Sequence, residues 1–211
     1  MQELPYQKVK AALVLAAQHA GHSMEIAAAL AQSAWWLENR GVAGVDLVIA
    51  YLEASRKLRP SDLGAKRDDY GSLRCICPIA AAAAVIAERD ILLSEGGEAA
   101  AEGVEYGLFG GPASPMVMGA ILAFYGDDQG LGVRLRFGEQ VVVLCKAFLC
   151  HEEGWAAGLV QLDVEASVGT DVEFVDLSRY QPIGRIVAFE RQMMLKLPSN
   201  RMGENGTLHL I

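Results

Sequence analysis

The chain has 211 residues, 52 % of them hydrophobic, and a formal net charge of −8. Its isoelectric point near 5.0 argues against binding to nucleic acids or anionic membranes, because both surfaces require clustered Lys and Arg. No apolar run reaches the roughly 18 residues of a membrane-spanning helix. The mean hydropathy of +0.23 is high for a monomer, and excess apolar area is typical of subunit interfaces. We therefore expect a homo-oligomer or a subunit that binds a protein partner.

The cellular compartment is predicted from the N-terminus and the cysteines. The first residues, MQELPYQKVK, lack the charged-then-apolar pattern of a signal peptide. Four cysteines in such a chain are typical of reduced thiols rather than of a disulfide framework. We therefore expect a cytoplasmic protein.

Three helices are predicted at the start of the chain, over residues 5–20, 24–40 and 46–58, each followed or preceded by a glycine-containing turn. Ser23 and Asp46 are the predicted N-caps of the second and third helices, since a short side-chain oxygen there accepts a bond from a free backbone N–H. Short turns between apolar-striped helices favour a compact bundle.

The composition changes after this bundle. Residues 59–72, RPSDLGAKRDDYGS, are polar and charged, which is typical of an exposed loop or linker. We therefore predict a helical bundle over 1–58, a linker over 59–72 and an α+β region over 73–211, with the third region either separate from the helices or joined to them in one domain.

Two helices are predicted around the middle of the chain. The run 73–88, LRCICPIAAAAAVIAE, enters the interior and turns at Cys77-Pro78 into a buried, alanine-rich helix. Ser114-Pro115 is a second N-cap and N1 pair, and its helix is predicted to end near Tyr125.

The strands follow these helices. Residues 133–137 and 140–150 alternate around Gly138-Glu139, a two-residue turn that suits a hairpin, and the register then pairs Leu135 with Val142 and Val133 with Leu144. The apolar second run is predicted as an inner strand, with 133–137 nearer an edge.

The C-terminal part completes the predicted fold. Residues 158–165 and 171–176 are expected to pair with each other, and a last helix is predicted over 183–197. The fold class is therefore α+β, with an N-terminal helical bundle, buried helices, a mainly antiparallel sheet and a C-terminal helix.

Cys77 is the first candidate for chemistry. A thiol at a helix N-terminus lies near unpaired N–H groups that favour the thiolate, which makes Cys77 a candidate nucleophile with His151 as its general base. The alternative is that Cys75 and Cys77 are small buried apolar residues and that His151 belongs to a turn, since cysteine is among the most buried residue types.

A metal site is the second candidate, and the spacing argues against it. Two pairs of cysteines and a histidine would supply the ligands, as C-x-C and C-x4-C-H: Cys75, Cys77, Cys145, Cys150 and His151. Structural zinc sites usually contain C-x2-C pairs instead. We predict neither a metal nor another cofactor.

An anion site is the third candidate. Gly110, Gly111 and Ser114 lead into a predicted helix N-terminus, whose backbone N–H groups suit a carboxylate or phosphate. The segment lacks the lysine of a P-loop and the spacing of a dinucleotide site, so a tight turn is the alternative. Arg134 and Arg136 are further candidate anion ligands, or else they protect the edge of the sheet.

The first third of the chain carries a family resemblance. Residues 12–44, ALVLAAQHAGHSMEIAAALAQSAWWLENRGVAG, together with Cys77-Pro78-Ile79, resemble the uncharacterised bacterial family called domain of unknown function 3726. At the C-terminus, four residues match a shortened form of the family's tail: Pro198, Ser199, Arg201 and Gly203. Because that family has no established activity, the resemblance implies an architecture and no activity.

Two hypotheses follow from the sequence. In the first, the chain is a cytoplasmic binding or accessory protein that works as an oligomer or subunit and binds a small anionic metabolite near residues 110–114. In the second, it is a small-molecule enzyme that uses Cys77 as nucleophile and His151 as base. The apolar excess and the missing catalytic motif favour the first.

Overall fold

A computed structural model describes most of the chain. It covers residues 2–56, 58–67, 69, 73–97, 101, 104–109, 114–127, 129–137, 140–146, 149–151, 169–177 and 194–197. The helices are α1 (Tyr6–His19), α2 (Met24–Glu38), α3 (Gly44–Ser55), α4 (Pro78–Gly96) and α5 (Pro115–Asp127). The strands are β1 (Gln2–Pro5), β2 (Lys66–Arg67), β3 (Leu73–Arg74), β4 (Glu105–Phe109), β5 (Leu131–Phe137), β6 (Gln140–Leu144), β7 (Leu149–His151), β8 (Thr170–Asp176) and β9 (Met194–Leu197).

The mixture of helices and sheet confirms the predicted α+β class. The chain divides into two compact units, one formed by Met1–Asp62 with Ala188–Ile211 and the other by Leu63–Val187. None of the helices in the described ranges is long and apolar enough to cross a membrane.

The first unit contains the predicted three-helix bundle. Helix α2 packs against both α1 and α3, and the apolar stripe predicted for α1 is buried, with Val9 and Ala17 fully inaccessible. Ser23 caps α2 as predicted, since its hydroxyl accepts a bond from the Ile26 N–H at 3.4 Å.

The start of α3 differs from the prediction. The helix begins at Gly44 rather than after Asp46, so Asp46 lies in its first turn and is not the N-cap. The carboxylate of Glu38, at the end of α2, instead accepts a bond from the Val45 N–H at 3.0 Å. Burial raises the pKa of Glu38, and the bond from Val45 partly offsets this effect. A side chain from the preceding helix thus satisfies a free N–H group in the first turn of α3, where the sequence predicted a local cap.

A two-stranded ribbon completes the first unit and corrects the predicted C-terminus. Strand β9 pairs antiparallel with β1, with Leu4 opposite Leu195. Residues 194–197 were predicted as the end of a helix and are a strand instead, while 183–193 lie outside the described residues. Pairing with β1, which is distant in sequence, overrides the helical pattern of this short segment.

The second unit is built on a sheet with seven described strands in the order β2-β3-β4-β8-β5-β6-β7. Only β3 and β4 run parallel, and α4 connects them. Helix α5 connects β4 to β5, and these two strands also run in the same direction because both are antiparallel to β8, which lies between them. Helices α4 and α5 pack against each other, and α5 packs against β5.

The predicted hairpin register is confirmed, whereas the predicted edge is wrong. Leu135 pairs with Val142 and Val133 pairs with Leu144. Strand β5 is not near an edge, because β8 pairs along its whole length on the other side. The predicted partner of 171–176 was 158–165, which lies outside the described residues. The pairing of β8 with β4 and β5 is a long-range contact that the local pattern does not contain.

Gly44 provides a direct test of the packing between α2 and α3. A Cβ atom at this position would lie 2.3 Å from the backbone oxygen of Ala34, which cannot rotate away. We expect Gly44→Ala to lower the free energy of unfolding by about 1–3 kcal/mol. Chemical denaturation measures the change. Gly64→Ala is the matched control, since a Cβ there meets nothing within 4 Å, and it should change stability by less than about 0.5 kcal/mol. Equal effects of the two substitutions would contradict the close approach.

Candidate functional site

Cys77 occupies its predicted place at the start of α4, and its thiol is inaccessible. Cys77 is the N-cap, Pro78 is the first helical residue, and the Cys77 side chain is 1 % exposed. The neighbouring thiol of Cys75 is also buried and donates to the Cys77 carbonyl oxygen at 3.2 Å. Burial raises the pKa of Cys75 to about 11. The Cys75 thiol is therefore a neutral part of the core at physiological pH.

The strand order separates Cys77 from His151. Cys77 follows β3, whereas His151 is the last residue of β7, at the far end of the sheet. The two strands are five positions apart, which corresponds to about 24 Å at the usual strand spacing. Proton transfer requires hydrogen-bond reach, roughly 3 Å. The structure therefore does not bring the proposed nucleophile and base together.

The cysteines are not assembled as metal ligands either. Cys145 follows β6 and is buried, four strand positions from the pair at the end of β3. Within the described part of the chain, no three or more His, Cys, Asp or Glu side chains form a group that could bind a metal.

The predicted anion site before α5 is described only at Ser114. Its hydroxyl is fully buried and accepts a bond from the Val117 N–H at 3.4 Å, so it caps the helix as predicted. Gly110 and Gly111 lie outside the described residues. The Ser114 hydroxyl is thus engaged within the protein.

The two candidate arginines of β5 form ion pairs across the sheet. Arg134 donates to Glu173 on β8 at 2.9 Å, and both side chains are about three-quarters buried. Arg136 lies 3.4 Å from Glu105 on β4 and 3.9 Å from Asp171 on β8. Three carboxylates thus surround two guanidinium groups on this face. Such a cluster stabilises the pairing of β4, β8 and β5, and it is not suited to an additional anion.

A different arginine, not selected from the sequence, has the more unusual environment. Arg89 lies on α4 and is 6 % exposed. Its guanidinium stacks on the ring of Phe174, with the central carbon 4.5 Å from the ring centroid. Its Nε and Nη2 atoms donate to the amide oxygen of Gln129 at 3.4 and 3.2 Å. No carboxylate of a described residue lies within ion-pair distance of Arg89.

A buried tyrosine hydroxyl lies close to Arg89. The hydroxyl of Tyr106, on β4, is buried, and its proton has no acceptor among the described residues. Burial raises the pKa of Tyr106, and the nearby Glu88 carboxylate adds to this rise, whereas the charge of Arg89 and a hydrogen bond from its guanidinium partly offset it. Tyr125 completes the group and donates to Asp90. We refer to Arg89, Tyr106, Tyr125, Gln129 and Phe174 as the Arg89 cluster.

The cluster combines a buried charge whose hydrogen-bond acceptor is a neutral amide with a buried hydroxyl whose proton has no described acceptor. Burial of a charge without an opposite charge typically costs several kcal/mol, and a buried hydroxyl without a partner costs about 1–3 kcal/mol. Stacking on Phe174 offsets about 1–2 kcal/mol, and the two bonds to a neutral amide offset a similar amount. The cluster is therefore the strongest candidate site among the described residues.

The sequence contains only a weak signal for this cluster. Arg89 is a single charge between Glu88 and Asp90 at the end of an alanine-rich stretch, a pattern typical of a solvated helix face. Phe174 lies 85 residues further along the chain, and its position beneath Arg89 depends on the insertion of β8.

Comparisons of the chain with protein-family models, with curated proteins and with solved structures found no match. The resemblance to domain of unknown function 3726 therefore stays a prediction from the residues.

The buried thiols give a prediction about reactivity. In the folded protein at pH 7, we expect Cys75 to resist iodoacetamide, because its pKa near 11 leaves only about one thiolate in ten thousand and its sulfur is inaccessible. Peptide mass mapping measures the modification at each cysteine. The same protein in denaturant is the control, in which Cys75 should react readily. Modification of Cys75 in the folded protein at the rate of an exposed cysteine would be evidence against its burial.

Proposed function

We propose that this chain is a cytoplasmic binding or accessory protein that works as a homo-oligomer or as a subunit with a protein partner. The observation that carries the proposal is an exposed apolar face on α4. Along one line of this helix, at intervals of four residues, lie Ile79, Ala83, Ala87 and Ile91. Ala83 and Ala87 are exposed, and Ile91 is 54 % exposed.

This face has the composition of a contact surface rather than of a solvated helix. Solvated helix faces usually present charged side chains, whereas the exposed line on α4, from Ala83 to Ile91, is apolar over about two turns. Two alanines at its centre would allow the backbone of another helix to approach closely. The apolar excess of the whole sequence supports the same proposal, since burial of such a face between subunits stabilises an assembly.

The anion-binding part of the first hypothesis gains no support from the residues first selected for it. The Ser114 hydroxyl caps α5, and the guanidinium groups of Arg134 and Arg136 lie in ion pairs. The alternative function, a cysteine enzyme, also lacks support, because Cys77 and His151 belong to opposite ends of the sheet. A binding role with assembly through α4 is the function that the described residues favour.

Ala87→Glu tests the proposed assembly. We expect native mass spectrometry and light scattering to show a dimer or larger species for the unmodified chain at micromolar concentration. The variant should be monomeric, because a buried carboxylate without a partner disfavours the interface by several kcal/mol. Ala28→Glu, at an exposed alanine of α2, is the matched control and should assemble like the unmodified chain. A monomeric unmodified chain would exclude the homo-oligomer, and an assembly that survives Ala87→Glu would overturn α4 as its interface.

A further inference from the structure

We infer that the Arg89 cluster is a binding site for a small monocarboxylate, which pairs with the Arg89 guanidinium in place of the Gln129 amide and accepts a hydrogen bond from Tyr106. This inference goes beyond the proposed assembly and does not depend on it. All five residues of the cluster belong to the second unit.

Arg89 is a buried cation whose pairing is incomplete. Arg89 is 6 % exposed, and two of its five N–H donors point to one neutral oxygen, that of Gln129. Other arginines of the described chain are paired with carboxylates. Arg134, for example, donates to Glu173 at 2.9 Å. A carboxylate fits the planar fork of a guanidinium with two parallel bonds, and a charged acceptor bonds more strongly than an amide.

The hydroxyl of Tyr106 is a buried hydrogen-bond donor without a described acceptor. This group is buried beside Arg89, which can only donate to it, so its own proton is available to an acceptor that the described residues do not provide. Stacking on Phe174 fixes one face of the guanidinium and leaves its edge for ligand contacts. A guanidinium edge and a phenol hydroxyl together supply the donors that a carboxylate accepts.

The charged groups around Arg89 determine which ligand charge the site favours. Arg89 supplies one positive charge, and the nearby Glu88 is already paired with Arg67. The carboxylate of Asp90 accepts a bond from Tyr125, next to the cluster. One cation with a carboxylate nearby suits an anion of charge −1 and disfavours a dianionic phosphate.

Gln129 gives a ligand access from solvent to the donors of Arg89. Gln129 is exposed and follows the end of α5, next to Gly130, which has a φ of +70°. Its side chain is therefore in contact with solvent as well as with the guanidinium, and rotation of that side chain would free the donors that it occupies. The amide of Gln129 acts as a neutral substitute for the ligand.

Titration with sodium acetate and sodium propionate tests the site, with sodium chloride at equal ionic strength as the baseline. We expect a saturable rise in melting temperature of about 3 °C at ten times the dissociation constant, and a shift of the Arg89 Nε–H resonance in ¹⁵N NMR spectra. Gln129→Glu places a carboxylate on the guanidinium permanently. It should raise the melting temperature without ligand and abolish the response to acetate. Gln32→Glu, at an exposed glutamine of α2, is the matched control and should keep the response.

Three results would overturn the inference. The first is an absent response of the unmodified chain to both carboxylates, and the second is a response to acetate that persists in Gln129→Glu. The third is a response to inorganic phosphate as large as that to acetate, which would exclude a site for monocarboxylates. Arg89→Lys should weaken acetate binding at least tenfold, and the Gln129→Glu result decides the question if Arg89→Lys does not fold.

Discussion

The insertion of β8 between β4 and β5 is the constraint on which the second unit depends. Helices α4 and α5 each connect strands that run in the same direction, but β4 and β5 do not touch each other. Strand β8 provides the backbone partners for both, with Val172 opposite Tyr106 on one side and Leu135 on the other. Without β8, two groups of backbone N–H and C=O groups would lack partners, and the layer of helices would cover a divided sheet.

The same strand gives the two faces of the sheet different chemistry. On one face, Glu173 and Asp171 of β8 meet the arginines of β5, so charges of both signs are satisfied within the protein. On the other face, the ring of Phe174 stacks on the guanidinium of Arg89 from α4, and no carboxylate of a described residue lies within ion-pair distance of it. The hydrogen bonds of the buried Arg89 guanidinium thus go to a neutral amide, whereas the arginines on the opposite face are paired with carboxylates. The proposed carboxylate ligand would supply the missing negative charge.

The elements that depend on neighbouring residues were predictable from the sequence. The caps at Ser23 and Ser114 and the start of α4 at Pro78 follow from local hydrogen bonding and fixed backbone angles. The β5–β6 register follows from a two-residue connection, because side chains alternate with a period of two.

The pairings between distant segments could not be predicted in this way. The position of β8, the β1–β9 ribbon and the separation of Cys77 from His151 all depend on strand order, which one sequence does not encode in its local pattern. The candidate site had the same limit. By residue type, the sequence favours Ser114, Arg134 and Arg136 as anion ligands, but only their neighbours in space decide whether their polar groups are engaged within the protein. The environment of Arg89 depends likewise on Phe174 and Gln129, which are distant in sequence.

The most direct test of this account is a NOESY spectrum of the isotopically labelled chain. Backbone contacts are expected from Val172 to Tyr106 and also to Leu135, because β8 lies between their strands. Contacts from Val172 to only one of these residues would place β8 at an edge. The sheet would then be divided, and the placement of Phe174 against Arg89 would lose its support.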